Sequence, residues 1–283
     1  MNTLSALLDG QLSFDDAKAY ILELSNQPVT VELLLALTTE LRSRMIRIDL
    51  GKPVLDTCGT GGDGQKTFNI STAVALKCAE LGIGVAKHGN VAATSVSGSA
   101  DVLQQLGIPI DLTGQAAVDY FKAHNFIFLF AKLYHPAMKQ VAPIRQALGV
   151  RTIFNILGPL CNPAGAEYQM VGVAEEALAE PMGQVLIELG SKHVVIVHSE
   201  DGLDEVSIAA PTHVYDFRPS SMKRFTISPK TCYPLSAIQA NSVAESAQLI
   251  TQPTPAAQAA IDMNVRLAMY AADHKYDYDF LDS

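Results

Sequence analysis

Gly59, Gly61, Gly62 and Gly64 crowd into six positions of the run Asp56 to Gly64, between two apolar segments. Residues 53–58 read as a short buried strand. Residues 69–81 read as a helix, with apolar side chains at three- and four-residue spacing. So many glycines leave few side chains in the way, and backbone N–H groups can close around an anion. The helix that follows points its positive end at the same place. The chemistry indicated is phosphate binding. Gly59, Gly61 and Gly64 satisfy the G-x-G-x-x-G spacing, but the next predicted strand, 82–86, runs into Lys87 and His88 rather than an acidic residue for a ribose hydroxyl. No Gly-Lys-Ser/Thr follows, so the loop is not of the Walker type. A tight strand-to-helix turn without a ligand is the plain alternative.

Two further clusters bear on that choice. Lys87-His88-Gly89-Asn90 stands at a second strand end. A hydroxyl-rich stretch from Thr94 to Asp101 then leads into a helix over 99–106. Lysine offers a point charge, and Ser and Thr hydroxyls add donors at a helix start. Two anion sites on adjacent strand ends suit a ligand with a phosphate group at each end. The same Ser, Thr and Asp residues also serve as ordinary helix N-caps, each worth about 1 kcal/mol. Far along the chain, the apolar run 194–197 precedes Asp201, Asp204 and Glu205. An acidic loop after a buried strand, in a protein that handles polyphosphate, suggests magnesium, which shares carboxylate and phosphate oxygens. Taken alone, such acidic residues are ordinary surface groups.

The ordered set of these motifs resembles the anthranilate phosphoribosyltransferase family. It comprises the glycine loop, Asn69 to Thr72, Lys87 to Asn90, Ser97 to Asp101, His135 through Arg145 to the segment Arg151–Pro159, and Asp201 to Glu205. The likeness runs from roughly residue 50 to residue 210. It implies an α/β fold of the class II nucleoside phosphorylase/phosphoribosyltransferase type. A small N-terminal helical domain (1–48), joined by helices near 136–165, would sit beside a larger α/β domain (49–283) with a mostly parallel central sheet. It implies transfer of a phosphoribosyl group from phosphoribosyl pyrophosphate to anthranilate, with magnesium, in tryptophan biosynthesis. It also implies a homodimer formed through the helical domain.

Carried over by position, the family's site places Gly59, Gly62, Asp63 and Thr67 along the phosphoribosyl pyrophosphate. Asn69, Ile70, Ser71 and Thr72 continue that site. Lys87, His88, Gly89, Asn90, Thr94, Ser95 and Ser99 supply further phosphate and ribose contacts. Asn90 and Arg145 meet anthranilate, with Arg145 facing its carboxylate, while His135 and Pro159 border the aromatic tunnel. Magnesium falls to Ser71, Asp204 and Glu205. The residue types suit this chemistry. Pyrophosphate departs with negative charge, which metal and N–H donors stabilise. The weakly basic anthranilate amine needs positioning more than a strong general base. His88 and His135 are candidate proton acceptors, with ring packing as the alternative role.

The chain departs from the family in places. Val91 stands where a basic residue usually follows Lys-His-Gly-Asn, and Ala92 and Ala93 are small and apolar. Residues 14–25 and 30–46 read as two helices, fewer than the family carries before its first strand. Gln252-Pro253-Thr254-Pro255 replaces a glycine-rich lead into the helix 256–270, and an acidic, tyrosine-bearing tail follows. These departures keep two other readings open: a homologue that binds phosphates or a partner without turnover, and a pyrimidine nucleoside phosphorylase-like enzyme.

Composition narrows the classes. A hydrophobic fraction of 48% with 17% charged residues suits a compact enzyme with a substantial core. The net charge of −9 argues against nucleic acid as a partner, because a phosphate backbone needs a basic face. Cys58, Cys78, Cys161 and Cys232 form no C-x-x-C pair and read as reduced thiols. Cys58 has no base supplied by any motif and reads as a packing residue. No apolar run approaches the length of a membrane span and no leader pattern opens the chain, so the reading is cytoplasmic. Strands alternate with helices over 53–132, which indicates a parallel sheet. The alternation in 213–217 and 223–227 indicates a hairpin, and 136–148 reads as a helix.

Overall fold

The computed structural model describes residues 3–92 and 97–273. In chain order, α1 (Thr3–Leu8), α2 (Phe14–Ser25) and α3 (Val31–Arg44) open the chain. They are followed by β1 (Leu55–Gly59), α4 (Ile70–Glu80), β2 (Val85–Gly89), α5 (Ser99–Gln105), α6 (Gly114–His124) and β3 (Phe126–Phe130). Then come α7 (Ala131–Tyr134), α8 (Met138–Leu148), α9 (Phe154–Leu157), β4 (Tyr168–Gly172), α10 (Ala179–Glu188) and β5 (His193–Ser199). The antiparallel pair β6 (Thr212–Arg218) and β7 (Ser221–Ile227) precedes α11 (Val243–Thr251) and α12 (Pro255–Ala271).

Seven strands form one sheet in the order β3-β2-β1-β4-β5-β6-β7. β1 to β5 are parallel and β6 and β7 are antiparallel, as the alternation of elements and the hairpin pattern predict. The chain leaves β1 toward β2 and β3 on one side, then crosses to β4 and β5 on the other. The order therefore reverses between β1 and β4, and the crevice above their C-terminal ends is where ligands bind in open α/β sheets. Gly59 and Gly172 pair at that very edge.

Alternate strand residues face opposite cores. Leu55, Phe128, Met170, Val195 and Val197 pack against α4 and α12. Val171, Val173, Val194 and Ile196 pack against α10 and, in the same apolar cluster, against Leu7, Ile21, Leu34 and Val141 of the helical region. A third cluster seats β2 and β3 on α6 through Ala86, Ile127, Leu129 and Phe121. Side-chain caps set the helix starts. Ser13, Thr30, Asn69, Ser242 and Thr254 each accept an N–H from the first turn, and Pro255 occupies an early position of α12, where its missing N–H costs nothing.

Two sequence expectations require correction. The chain opens with three helices rather than two, because six residues, Thr3–Leu8, bury Leu4, Leu7 and Leu8. A helix of six residues, under two turns, lacks enough periods to stand out in sequence. The second strand is not 82–86 but Val85–Gly89. Ile83 and Gly84 precede the strand, and Lys87 and His88 lie within it, buried, instead of beyond its end. No helix among the described residues is long and apolar enough to cross a membrane.

Candidate active site

The glycine loop leaves β1 and bends sharply, with positive φ at Gly61, Gly62, Gly64 and Lys66. At Gly62 φ is +84°, and a Cβ would lie 1.1 Å from Nη1 of Arg151. A Cβ on Gly59 would lie 2.6 Å from Oδ2 of Asp204. Two charged side chains from distant parts of the chain thus occupy the space a Cβ would need, and at Gly62 the left-handed φ itself calls for glycine. Arg151 Nη1 donates to the Gly61 carbonyl at 2.6 Å, and the Gly61 N–H donates to Asp204 Oδ2 at 2.8 Å. Gln65 Nε2 donates to the Asp201 carbonyl at 2.9 Å, and Thr60 N–H to the Gly172 carbonyl at 2.9 Å. The glycine loop, the end of β4 and the acidic loop after β5 therefore meet as one surface over the switch point.

Beneath the loop stands the start of α4. The Asn69 side-chain oxygen accepts from Thr72 N–H at 3.1 Å and from Ser71 Oγ at 3.3 Å. Ile70 is buried and anchors the first turn, and Thr72 is wholly buried. Thr67 is half-buried and bridges Gln239. The positive end of an eleven-residue helix thus opens on the loop.

Lys87 is buried on β2, between β1 and β3. Its Nζ donates to the Thr57 carbonyl at 2.5 Å and to Ser71 Oγ at 3.1 Å. Burial pushes its pKa down, while Asp56, Cys58 and Glu205 act against the shift. Asp56 is also fully buried. It accepts from Asn162 Nδ2 at 2.8 Å and from His88 N–H at 3.2 Å, yet burial lifts it to about 6 against the pull of Lys87. Lys87 thus braces the floor of the site through Ser71. Burial and the neighbouring Asp56 also push the Cys58 thiol well up, which leaves it no nucleophilic role at neutral pH.

The acidic residues lie close together. Asp204 is pushed to about 6 by burial and by Asp63, with the Gly61 N–H opposing. Glu205 is pushed well up by burial and by Asp204, with Lys87 opposing. Asp63 is raised by burial. Asp204 and Glu205 feel one another and Asp63, with Arg151 and Lys87 opposing, and carboxylate oxygens are the donors a hard cation takes. Among the described residues no three His, Cys, Asp or Glu side chains are placed to hold a metal ion by themselves. Magnesium brought with a polyphosphate needs only one or two protein carboxylates, since phosphate and water supply the rest. The residues present therefore fit such an ion.

The aromatic side of the crevice is built on His88, His135 and the turn at Gly158. His88 Nδ1 is 3.2 Å from the Gly158 carbonyl, which can only accept, so this nitrogen carries the proton. His88 Nε2 is then an acceptor, and His135 Nε2, 3.1 Å away, must donate to it. Both rings are buried and neutral, pushed down chiefly by burial to about 3 for His88 and about 4 for His135. The sequence left two roles open for them. This geometry favours ring packing, because the basic nitrogen of His88 is already taken. Pro159 is buried, and its carbonyl accepts from Gln169 at 2.9 Å.

The remaining residues are placed as follows. Asn90 is exposed at the end of β2, and its carbonyl accepts from Ala100 N–H at 3.2 Å and from Ser99 Oγ at 3.4 Å. Gly89 precedes it, with Ser99 Oγ against its Cα. Val91 packs on the main core. Arg145 is half-buried in the last turn of α8; among the described residues its guanidinium has no hydrogen-bond or ion-pair partner, and burial lowers its pKa. Nothing among the described residues joins Arg145 directly to Asn90. Thr94 and Ser95 lie outside the described residues. Sequence reasoning assigned no role to Arg151, Asp56 or Asn162. Arg151 opens the segment Arg151–Pro159 that carries part of the family likeness, and that place was the signal that could have singled it out.

The comparisons agree with this geometry. The family model described as "Glycosyl transferase family, a/b domain" matches residues 51–279. The anthranilate phosphoribosyltransferase of Geobacillus stearothermophilus is 42% identical over 278 residues, covering 95% of this chain and 82% of that protein. That of Thermomicrobium roseum is 39% identical over 286 residues, covering 96% and 82%. The crystal structure of the Thermus thermophilus enzyme superposes with a TM-score of 0.86 at 34% identity, over 96% of this chain and 84% of that one. The Saccharomyces cerevisiae enzyme, solved in complex with PRPP and Mg, gives 0.84 at 27% identity, over 96% and 82%. A glycine loop at the switch point of this sheet, together with likeness of that extent in sequence and in structure, places the chain in the anthranilate phosphoribosyltransferase family.

Proposed function

We propose that this chain transfers the 5-phosphoribosyl group of phosphoribosyl pyrophosphate to the amine of anthranilate, releasing pyrophosphate, as a step of tryptophan biosynthesis. The observation that carries this reading is the meeting of the glycine loop and the acidic loop. The Gly61 N–H and the Asp204 carboxylate, 143 residues apart in sequence, are hydrogen-bonded above the switch point. Loop N–H groups, including those around Gly59, Gly62 and Asp63, and the start of α4 from Asn69 to Thr72 receive the pyrophosphate. Asp204, Glu205 and Ser71 hold magnesium. When bound, that ion supplies positive charge to the departing pyrophosphate. Asn90 and Arg145 hold anthranilate, and His88 with His135 gives its ring a dry wall. The anthranilate amine is already neutral near pH 7, so orientation rather than deprotonation is what this chain contributes.

Loss of anthranilate fluorescence with phosphoribosyl pyrophosphate and magnesium, halted by chelation, is the expected result. Folded, saturated protein that consumes no anthranilate would leave only binding without turnover. Arg145→Ala should raise the KM for anthranilate by about 10- to 100-fold, the worth of a charge-assisted hydrogen bond to a carboxylate. The KM for phosphoribosyl pyrophosphate should barely change; equal loss of both would refute the role of Arg145.

We further propose a homodimer through a small helical domain made of 1–48 and the helices near 136–165, resting on the α/β remainder. Phe14 and Val150 of that region are 51% and 58% exposed, and a partner helical domain would cover such side chains. Sedimentation of Phe14→Asp as a monomer, against a dimeric parent, is the expected outcome. We place the activity in the cytoplasm, where thiols such as the free Cys58, Cys78, Cys161 and Cys232 stay reduced.

A further inference from the structure

Asn264 is a polar residue in the middle of α12, wholly buried among alanines and aliphatic side chains. An amide there costs stability unless every polar atom is matched. Its Oδ1 accepts from the Val206 N–H at 2.8 Å. Its Nδ2 donates to the Val206 carbonyl at 2.9 Å and to the Ala260 carbonyl at 2.9 Å. The carboxamide thus pairs with both polar groups of one residue, as a neighbouring strand would. That residue directly follows Glu205.

The peptide between Glu205 and Val206 is consequently held at both ends. Its carbonyl accepts from Ser199 Oγ at 2.7 Å, and its N–H donates to Asn264. One grip comes from the end of β5 and the other from α12. α12 also packs along α4, whose first turn carries Ser71. A single helix therefore touches both elements that carry the proposed magnesium donors, without lining the crevice itself.

We propose that Asn264 is a positioning residue for the metal end of the site: by gripping both polar groups of Val206 it fixes the peptide that aims Glu205. The proposal rests on the reading of Asp204 and Glu205 as the carboxylates that meet magnesium and pyrophosphate. Outer partners of metal-binding carboxylates typically change metal affinity by about 10- to 100-fold when removed. A residue that merely fills space in α12 would lower stability and leave that affinity alone.

The test uses the full chain and three variants: Asn264→Ala, Asn264→Asp and Leu267→Ala. Asn264→Asp keeps an acceptor for the Val206 N–H and nearly the same shape. Leu267→Ala removes a buried side chain from the same helix without touching Val206. The probe is manganese(II) with inorganic pyrophosphate, followed by paramagnetic resonance. Amide exchange at Val206 is followed in parallel. Asn264→Ala should bind the manganese–pyrophosphate pair about tenfold more weakly and lose protection at Val206, while the rest of α12 keeps its protection. Asn264→Asp should fall between Asn264→Ala and the parent. Leu267→Ala should match the parent in binding, whatever its melting temperature.

Unchanged binding in Asn264→Ala, or weakening that follows melting temperature alike in Asn264→Ala and Leu267→Ala, would overturn the proposal. Should Asn264→Ala not fold, Asn264→Asp decides: binding equal to that of the parent would overturn it, and weakened binding with exposed Val206 would support it. Absence of anthranilate turnover in the parent would sink the proposed reaction. It would leave the manganese and exchange readouts to judge Asn264 independently.

Discussion

Lys87→Met should lower folding stability by about 3–5 kcal/mol, the usual cost of removing one partner from a buried ionic set. Lys87 is the buried cation facing Asp56 and Glu205, and it opposes the rise in pKa of both. Without it, Asp56 keeps the donors of Asn162, His88 and Cys58 but no cation, while the Thr57 carbonyl and Ser71 Oγ each lose a donor. Asp56 would then take up a proton near neutral pH. Adding Asp56→Asn should recover part of the loss, because the charge left without a partner disappears with it. Urea denaturation of the parent, the two single variants and the double variant measures the coupling. A single-variant loss below about 1 kcal/mol would show that no buried ionic set exists here. Activity should fall as well, since Ser71 at the start of α4 loses its brace.

The strand, glycine turn and helix of 53–81 were legible because their signal is local. Four glycines follow an apolar run, and a helical period follows them. The parallel sheet was legible from strands alternating with helices over 53–132, and the β6–β7 hairpin from the alternation within 213–217 and 223–227. What could not be read is what tertiary approach creates. Lys87 and His88 look like loop residues by polarity, yet the strand runs through them because Asp56, Thr57, Ser71 and Gly158 satisfy their polar atoms from elsewhere. That displaced the sequence-based strand toward Gly82. Gly59 and Gly62 announce a turn, but not that Asp204 and Arg151 come to fill the space a Cβ would need. Asn264 stands between Asp262 and Arg266 in an amphipathic helix and reads like one more polar residue of its outer face, and nothing in its neighbours names Val206 as its partner. The two helices read at 14–25 and 30–46 are Phe14–Ser25 and Val31–Arg44 in the structure; Thr3–Leu8 was too short to show a period.

Stability should also fall in acid through His88 and His135, and the sign follows from their tautomers. The pair shares its protons in one arrangement: His135 Nε2–H donates to His88 Nε2, and His88 Nδ1–H donates to Gly158. A further proton on His88 would set N–H against N–H in a buried space. Folded pKa values near 3 and 4 lie below the ordinary histidine value of 6.5. The unfolded chain therefore binds more protons than the folded one between those limits. Stability contributed by the pair is complete above about pH 6.5 and is lost progressively as pH falls toward about 4. Asp56 and Asp204, raised to about 6, act in the opposite sense below that pH, because their folded forms hold the proton more tightly. The total curve thus mixes both signs, and a difference measurement is needed. His135→Asn removes one of the two histidines and leaves Asp56 and Asp204 in place. The stability advantage of the parent over His135→Asn should shrink by an amount on the order of 3 kcal/mol between pH 7 and pH 4. Urea midpoints at closely spaced pH values read that difference directly. Parallel curves for parent and variant would mean that His135 is not held neutral in the fold, and the dry wall assigned to the anthranilate ring would lose its basis.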